Sequence, residues 1–128
     1  MIIDKNKMIE NPGRKFTFFY EDVEIPVYMR VISKASLLAI EEKHSKTAYV
    51  KGQPVKKVDD KAVEEDRADY CVVGWEGFKN PDGSVLEVTR ENKLWLIENF
   101  PAFSSFFNRT LVGLLTGETA MLEKEEKN

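Results

Sequence analysis

Residues 15–32 read KFTFFYEDVEIPVYMRVI, and this stretch decides the fold. Aromatic and β-branched side chains, which favour strands, dominate both of its halves, residues 15–20 and 23–32. Glu21 and Asp22 lie between the halves and mark a turn. The stretch therefore predicts a β-hairpin. Because Pro26 cannot donate a backbone hydrogen bond, we expect its strand to lie at a sheet edge or to begin there.

A two-stranded sheet is marginal in water, so the apolar face of this hairpin needs cover from another layer. The side chains expected to need that cover are Phe16, Phe18, Tyr20, Val27, Met29 and Val31. The rest of the chain is best suited to supply helices. The predicted fold class is therefore α+β, with an N-terminal antiparallel β-hairpin packed against about four α-helices.

The residues after the hairpin predict two helices with a loop between them. Ser33 has the side chain of an N-cap for a short first helix. Residues 45–58 are rich in lysine, contain Gly and Pro, and show little periodicity, which predicts a long, mobile, basic loop. The Asp pair at 59–60 then supplies an acidic first turn for a second helix that runs toward Val73.

The C-terminal half predicts two more helices. Residues 74–78, GWEGF, break the second helix, and residues 80–84, NPDGS, favour a turn. Thr89 is a good N-cap for a third helix, and Pro101 suits the first turn of a fourth. Gly117 is a natural stop for that last helix.

The chain is expected to form one domain, residues 14–118, between two tails. An Asn-Pro-Gly turn ends a flexible N-terminal tail, residues 1–13, and residues 119–128 form a charged tail that we expect to fray. The start lacks the pattern of a signal peptide, and no apolar run approaches the roughly 20 residues that a membrane span needs. We therefore expect a cytoplasmic protein without a membrane partner.

The composition argues against several kinds of site. The 128 residues carry a net charge of −3, so no general positive field favours nucleic acid, and the short lysine cluster in residues 51–57 lacks interleaved aromatic residues. Cys71 is the only cysteine, so it has no partner for an internal disulfide. A structural zinc site needs about four Cys or His ligands, and this chain has one of each. We expect no cofactor, no metal and no nucleic-acid partner.

Catalytic groups are sparse in this sequence. His44 is the only histidine, and it lies next to Ser45 at the polar end of the first helix, where we expect a solvated surface. The acidic residues of the second helix, with Asp66 and Asp69 among them, are interspersed with Lys and Arg, which is typical of a solvated helix face. We therefore predict no catalysis. A small enzyme remains an alternative if His44, Asp66 or Asp69 lines a cleft.

Large aromatic residues are concentrated in the C-terminal half. Most should lie in the core, but a small helical layer cannot easily bury so many rings, which favours an exposed apolar patch that binds protein. The candidate protein-binding surface consists of Trp75, Phe78, Trp95, Phe100, Phe103, Phe106 and Phe107.

The same half of the chain carries a resemblance to a known family. Its features, in order, are residues 70–78 (YCVVGWEGF), Asp82-Gly83, residues 88–92 (VTREN) and Phe100-Pro101. This order resembles the tail assembly chaperones of long-tailed, siphovirus-type bacteriophages. In that family a helix runs into a Gly-Trp-x-Gly-like turn, followed by a Ser/Thr-x-Glu-Asn helix start and a helix break at Pro. The opening hairpin and first helix also look similar.

The resemblance implies a function without an active site. Such chaperones act in the host cytoplasm, bind the tape measure protein, recruit major tail tube subunits and are absent from the mature virion. Many also occur in a longer, frameshifted form, and we expect some self-association. The alternative is a structural minor tail or head-tail connector component that stays in the virion. A nucleic-acid-binding regulator is a further alternative, which salt-sensitive retention on DNA or RNA would reveal.

Overall fold

The predicted N-terminal hairpin is present in the computed structural model, which describes residues 13–116. Strand β1 (Arg14–Tyr20) pairs antiparallel with β2 (Val23–Met29), with Phe16 opposite Val27 and Phe18 opposite Ile25. Glu21 and Asp22 both have positive φ, 48° and 64°, as the two central residues of a tight I′ hairpin turn require. The mixed α+β class is confirmed.

The sheet has a third strand, β5 (Val72–Trp75), which makes β2 its central strand. The predictions of an edge position for Pro26 and of a helix reaching Val73 were therefore wrong. The Pro26 carbonyl accepts a hydrogen bond from the Glu76 N–H at 3.0 Å, at the end of β5. The N–H and C=O of a strand residue point toward the same neighbouring strand. The N–H that Pro26 lacks would therefore point toward the end of β5, where the hydrogen bonds between β2 and β5 stop.

The four predicted helices are present. They are α1 (Lys34–Lys43), α2 (Asp60–Cys71), α3 (Arg90–Asn99) and α4 (Pro101–Thr116). Ser33, Asp59 and Thr89 cap the first three, each accepting a hydrogen bond from the backbone N–H three residues later at 3.1–3.2 Å. The N-caps Ser33 and Thr89 are thus confirmed, as is the position of Pro101 in the first turn of α4.

The predicted mobile loop at residues 45–58 is instead a second β-hairpin. Strand β3 (Ser45–Val50) pairs antiparallel with β4 (Gln53–Val58) as a separate two-stranded sheet. Lys51 and Gly52, with φ of 51° and 77°, form a two-residue turn of the same kind as the first hairpin. At its base, the Asp59 N–H donates to the His44 carbonyl at 2.9 Å, which fixes the hairpin between α1 and α2.

The core lies between the inner face of the three-stranded sheet and the helices. Buried side chains come from β1, β2, β5, α2, α3 and α4: Phe16, Phe18, Ile25, Val27, Met29, Ala68, Cys71, Val72, Trp75, Leu96, Phe103, Phe106, Phe107 and Leu111. Tyr20, predicted to be covered, lies at the rim and is 43% exposed, with its ring 4.8 Å from that of Phe100. The helices thus provide the cover that the hairpin requires.

The domain edges are described only in part. Gly13 has φ +88°, and a Cβ added to it would lie 2.9 Å from Val73 Cγ2, so this residue packs against the sheet. Gly13 was predicted to end the flexible tail of residues 1–13, and its packing corrects that boundary. Residues 1–12 of that tail, the predicted tail at residues 119–128 and the predicted stop at Gly117 lie outside the described residues. Among residues 13–116, no helix combines the length and apolar character that crossing a membrane requires.

Candidate protein-binding site

The structure separates the seven aromatic residues of the predicted binding surface. Trp75, Phe103, Phe106 and Phe107 are each at most 6% exposed and belong to the core, so they do not form a surface. Phe78 and Phe100 are half-buried, and Trp95 is 57% exposed. The predicted surface is therefore wrong for four members, and three remain able to contact a partner.

Phe103 and Phe106 are held by ring contacts with each other and with the sheet. Phe18 of β1 lies at the centre, with its ring 5.6 Å from that of Phe103 and 5.3 Å from that of Phe106. The Phe18–Phe103 pair is edge-to-face, a geometry that stabilises aromatic clusters beyond simple burial, and the Phe18–Phe106 pair is tilted. The Trp75 indole N–H donates to the Leu86 carbonyl at 3.0 Å, so this ring also secures the segment that follows β5.

The three remaining aromatic residues meet in one groove of about 420 Å³ between α3 and the segment 78–86. Its apolar wall consists of Phe78, Pro81, Leu86, Trp95, Leu96 and Phe100. Lys79, Asn80 and Asn92 contribute polar groups to the same groove. An apolar cleft with a few polar groups is the usual form of a binding site, and large exposed apolar patches mark protein contacts.

Hydrogen bonds hold the segment side of the groove in shape. The Asn80 N–H donates to the Ser84 carbonyl at 2.8 Å, and the Leu86 N–H donates to the Phe78 carbonyl at 2.9 Å. Within the turn, the side-chain and backbone hydrogen bonds from Ser84 hold the pKa of the Asp82 carboxyl below its usual range. The groove wall is therefore preorganised, which reduces the entropy lost when a partner binds.

The α3 side of the groove is fixed by its N-terminal cap. Thr89 Oγ1 accepts from the Asn92 N–H at 3.1 Å, and the Asn92 side chain donates to the Glu87 carbonyl at 2.8 Å. The Asn92–Glu87 contact connects the start of the helix to the residue that directly follows the 78–86 segment. Pro81, Leu86 and Asn92 were not predicted as site residues, although the NPDGS turn signal did place a structured loop there.

A cluster of charged side chains, separate from this groove, joins three helices. Asp66 of α2 places one carboxylate oxygen 2.7 Å from His44 Nε2 and the other 2.7 Å from the Arg90 guanidinium. Asp69 accepts from Lys93 Nζ at 3.1 Å. His44 is therefore paired and only 21% exposed, so the predicted solvated position is wrong. Asp66 and Asp69 likewise take part in ion pairs and do not form a purely solvated face.

The geometry of this cluster is that of a structural clamp. The Ser45 hydroxyl donates to the Glu42 carbonyl at 2.9 Å, so it is engaged with the backbone of α1 and not with the His44 ring. The hydrogen bond with His44 lowers the pKa of the Asp66 carboxyl, burial opposes that effect, and Arg90 lowers the pKa further. Within the described part of the chain, no group of three His, Cys, Asp or Glu side chains could hold a metal ion.

Comparison with known proteins gives no match to any protein family, curated protein or solved structure. The fold and the groove define an α+β domain with a preorganised aromatic cleft.

Proposed function

We propose that this protein is a non-catalytic phage tail assembly chaperone that binds the tape measure protein through the groove beside α3. In this proposal it recruits major tail tube subunits in the host cytoplasm and is absent from the mature virion. The observation that carries the proposal is the exposed indole of Trp95, 57% accessible, beside the half-buried rings of Phe78 and Phe100. The sequence resemblance supplies the identity of the client.

Trp95 is the expected anchor of the contact. Tryptophan is enriched among the residues that dominate binding energy, and such residues lie in preorganised pockets. The Trp95 ring does not pack in the core of residues 13–116, because α3 turns the neighbouring Leu96, which is 4% exposed, toward the core instead. A client side chain that covers the indole would remove apolar surface from water at about 25 cal/mol per Å².

The groove favours an amphipathic client segment. Its apolar wall suits apolar side chains, while Lys79, Asn80 and Asn92 can interact with polar or acidic groups along the rim. A segment with spaced apolar residues therefore fits better than a small metabolite. A chaperone also gains from such a site, because binding the client keeps its apolar surface away from other chains.

A pull-down with matched variants tests the proposal. Tagged wild-type protein, Trp95→Ala and Leu38→Ala are expressed in phage-producing cells, and the captured proteins are identified by mass spectrometry. Leu38 is the control because it is 54% exposed on α1 and does not line the groove. We expect wild type and Leu38→Ala to retain the tape measure protein, and Trp95→Ala to bind it about 30-fold more weakly, as a 2 kcal/mol anchor implies.

Two results would contradict the proposal. Equal capture of the tape measure protein by all three forms would remove the groove from the interaction. Recovery of the protein mainly inside purified virions, without tape measure protein in the cytoplasmic fraction, would favour the structural minor tail or connector alternative.

A further inference from the structure

Among residues 13–116, no other element covers the faces of the β3–β4 hairpin. Every residue of β4 is exposed, and neither strand makes more than marginal contact with another described element. Tyr49 is 74% exposed and Val50 is 48% exposed. A two-stranded sheet with both faces in solvent is marginally stable, so covering these side chains would be favourable.

The charge of this hairpin identifies the kind of surface that fits it. Residues 45–58 contain four lysines and no acidic residue, which gives this segment a charge of +4. Because the whole chain has a net charge of −3, the remaining residues carry −7. Lys46 lies directly opposite Lys57 in the strand register, and like charges in that position destabilise a sheet. Lys56 alone among the four forms an ion pair with a described residue, Glu42 at 2.7 Å. The hairpin thus suits an acidic partner.

An acidic groove of about 430 Å³ lies between α1 and α2. Leu37, Val58 and Val63 line it with apolar groups, and Glu41, Asp60 and Glu64 with carboxylates. Arg67 also lines the groove, and its Nε atom is buried without a hydrogen-bond partner among the described residues. Since a buried donor without an acceptor is unfavourable, an incoming backbone carbonyl would stabilise this site.

The turn of the hairpin and the acidic groove cannot contact each other within one molecule. Val58, which lines the groove, is the last residue of β4, so the groove lies at the base of the hairpin. The turn at Lys51 and Gly52 is about 17 Å from that base, at about 3.4 Å per residue. The turn of one copy can therefore reach this groove only in another copy.

We propose that copies of this protein associate head to tail, with the Lys51-Gly52 turn of one copy in the α1–α2 groove of the next. In this arrangement the ammonium group of Lys51 approaches the carboxylates of Glu41 and Asp60. The turn and the groove are different surfaces of the protein, so the contact is heterologous and leaves one free turn and one free groove on each joined pair. Such contacts build open chains or closed rings.

Charge reversal at one residue on each side tests this contact. Sedimentation velocity at low salt compares wild type, Lys51→Glu, Glu41→Lys and the double variant Lys51→Glu/Glu41→Lys. We expect wild type to associate as its concentration rises and each single variant to associate at least about tenfold more weakly, because like charges then meet. The double variant should recover association, since its two reversed charges again complement each other.

Two controls accompany the experiment. Lys15→Glu changes the net charge as Lys51→Glu does, but it lies on β1, outside both the hairpin and the residues that line the groove, and should associate like wild type. Raising the salt to about 0.5 M should weaken wild-type association, because the Debye length falls to a few ångströms. The proposal is overturned if wild type stays monomeric at every concentration, if either single variant associates like wild type, or if the double variant stays as weak as the singles.

Discussion

Asp66 is a single residue that joins three helices, and its removal should weaken the domain. We expect Asp66→Asn to lower the free energy of unfolding by about 1–3 kcal/mol at neutral pH, because His44 and Arg90 lose a charged partner. Urea denaturation measures this difference. Glu65→Gln is the control, since Glu65 is adjacent on α2 and forms no ion pair with residues 13–116. An equal loss in both variants would contradict the role of Asp66.

The same residue predicts a pH dependence. The pKa of Asp66 is lowered below its ordinary value of about 3.9, so the ionised carboxyl is favoured in the folded state. Its contribution is complete above that ordinary value and is lost as the pH falls through the lowered pKa. The stability difference between wild type and Asp66→Asn should therefore shrink on acidification below about pH 4. A constant difference from pH 7 to about pH 2 would disprove this linkage.

Alanine substitutions at two glycines with positive φ distinguish the cost of backbone strain from the cost of steric contact. Gly13→Ala places a Cβ 2.9 Å from Val73 Cγ2 and 3.1 Å from the Met29 carbonyl oxygen, whereas Gly52→Ala meets nothing within 4 Å. Both variants require positive φ, which costs about 1 kcal/mol. Gly13→Ala should cost a further 1–3 kcal/mol or so because the neighbours must shift. Thermal unfolding compares the stability of the two variants. Equal losses of stability would show that the neighbours of Gly13 shift without a cost.

The burial of the aromatic residues was partly readable from the sequence. Phe103, Phe106, Phe107 and Leu111 recur at three- and four-residue spacing, which is typical of the buried face of a helix. That periodicity indicates a core position for these rings. Trp95 shows no such signal, because Leu94, Leu96 and Ile97 surround it and any of the four could face outward. Its exposure depends on how α3 packs against α2 and α4.

At the scale of the element, the β3–β4 hairpin should be dispensable for stability. Replacing residues 47–56 with an Asn-Gly turn keeps Ser45 paired with Val58 and removes side chains that lie almost entirely outside the core. We expect the free energy of unfolding to change by less than about 1 kcal/mol, because little apolar area is lost. Urea denaturation is the measurement. A large loss would mean that the hairpin supports the α1–α2 junction.

The helices were predictable because their signals are local. Ser33, Asp59 and Thr89 each accept a hydrogen bond from a backbone N–H three residues later, so the cap can be recognised without knowledge of the fold. Strand β5 carries no comparable signal. Its VVGW sequence is a short apolar run that fits a helix end or a buried strand, and only its pairing with β2 decides between them.

The second hairpin was missed for a different reason. Its turn is Lys-Gly, which is less distinctive than Asn-Gly or Asp-Gly, and lysines interrupt the alternation of its strands. Lysine on exposed strands also protects edges from unwanted pairing, so the same residues that indicated a basic loop are compatible with a solvent-exposed hairpin. The contacts of Asp66 with His44 and Arg90 were equally unreadable, since they join segments far apart in sequence.

At the scale of the whole molecule, the two proposed surfaces lie on different elements. The aromatic groove is built from α3 and residues 78–86, whereas the acidic groove is built from α1, α2 and the end of β4. No described residue lines both grooves. Client binding and self-association should therefore be separable, and copies joined head to tail would each keep the aromatic groove open to a client.

This separation gives a prediction that requires both assays. Trp95→Ala should weaken the proposed tape measure binding while its sedimentation stays like that of wild type, and Lys51→Glu should show the reverse, because each substitution changes one surface only. Mutations on separate elements that share no partner usually act independently. Binding of the tape measure segment to each variant, measured by titration at a concentration where wild type is monomeric, removes avidity from the comparison. If Lys51→Glu also weakens that monomeric binding, the hairpin contacts the client directly, and the two surfaces form one interface.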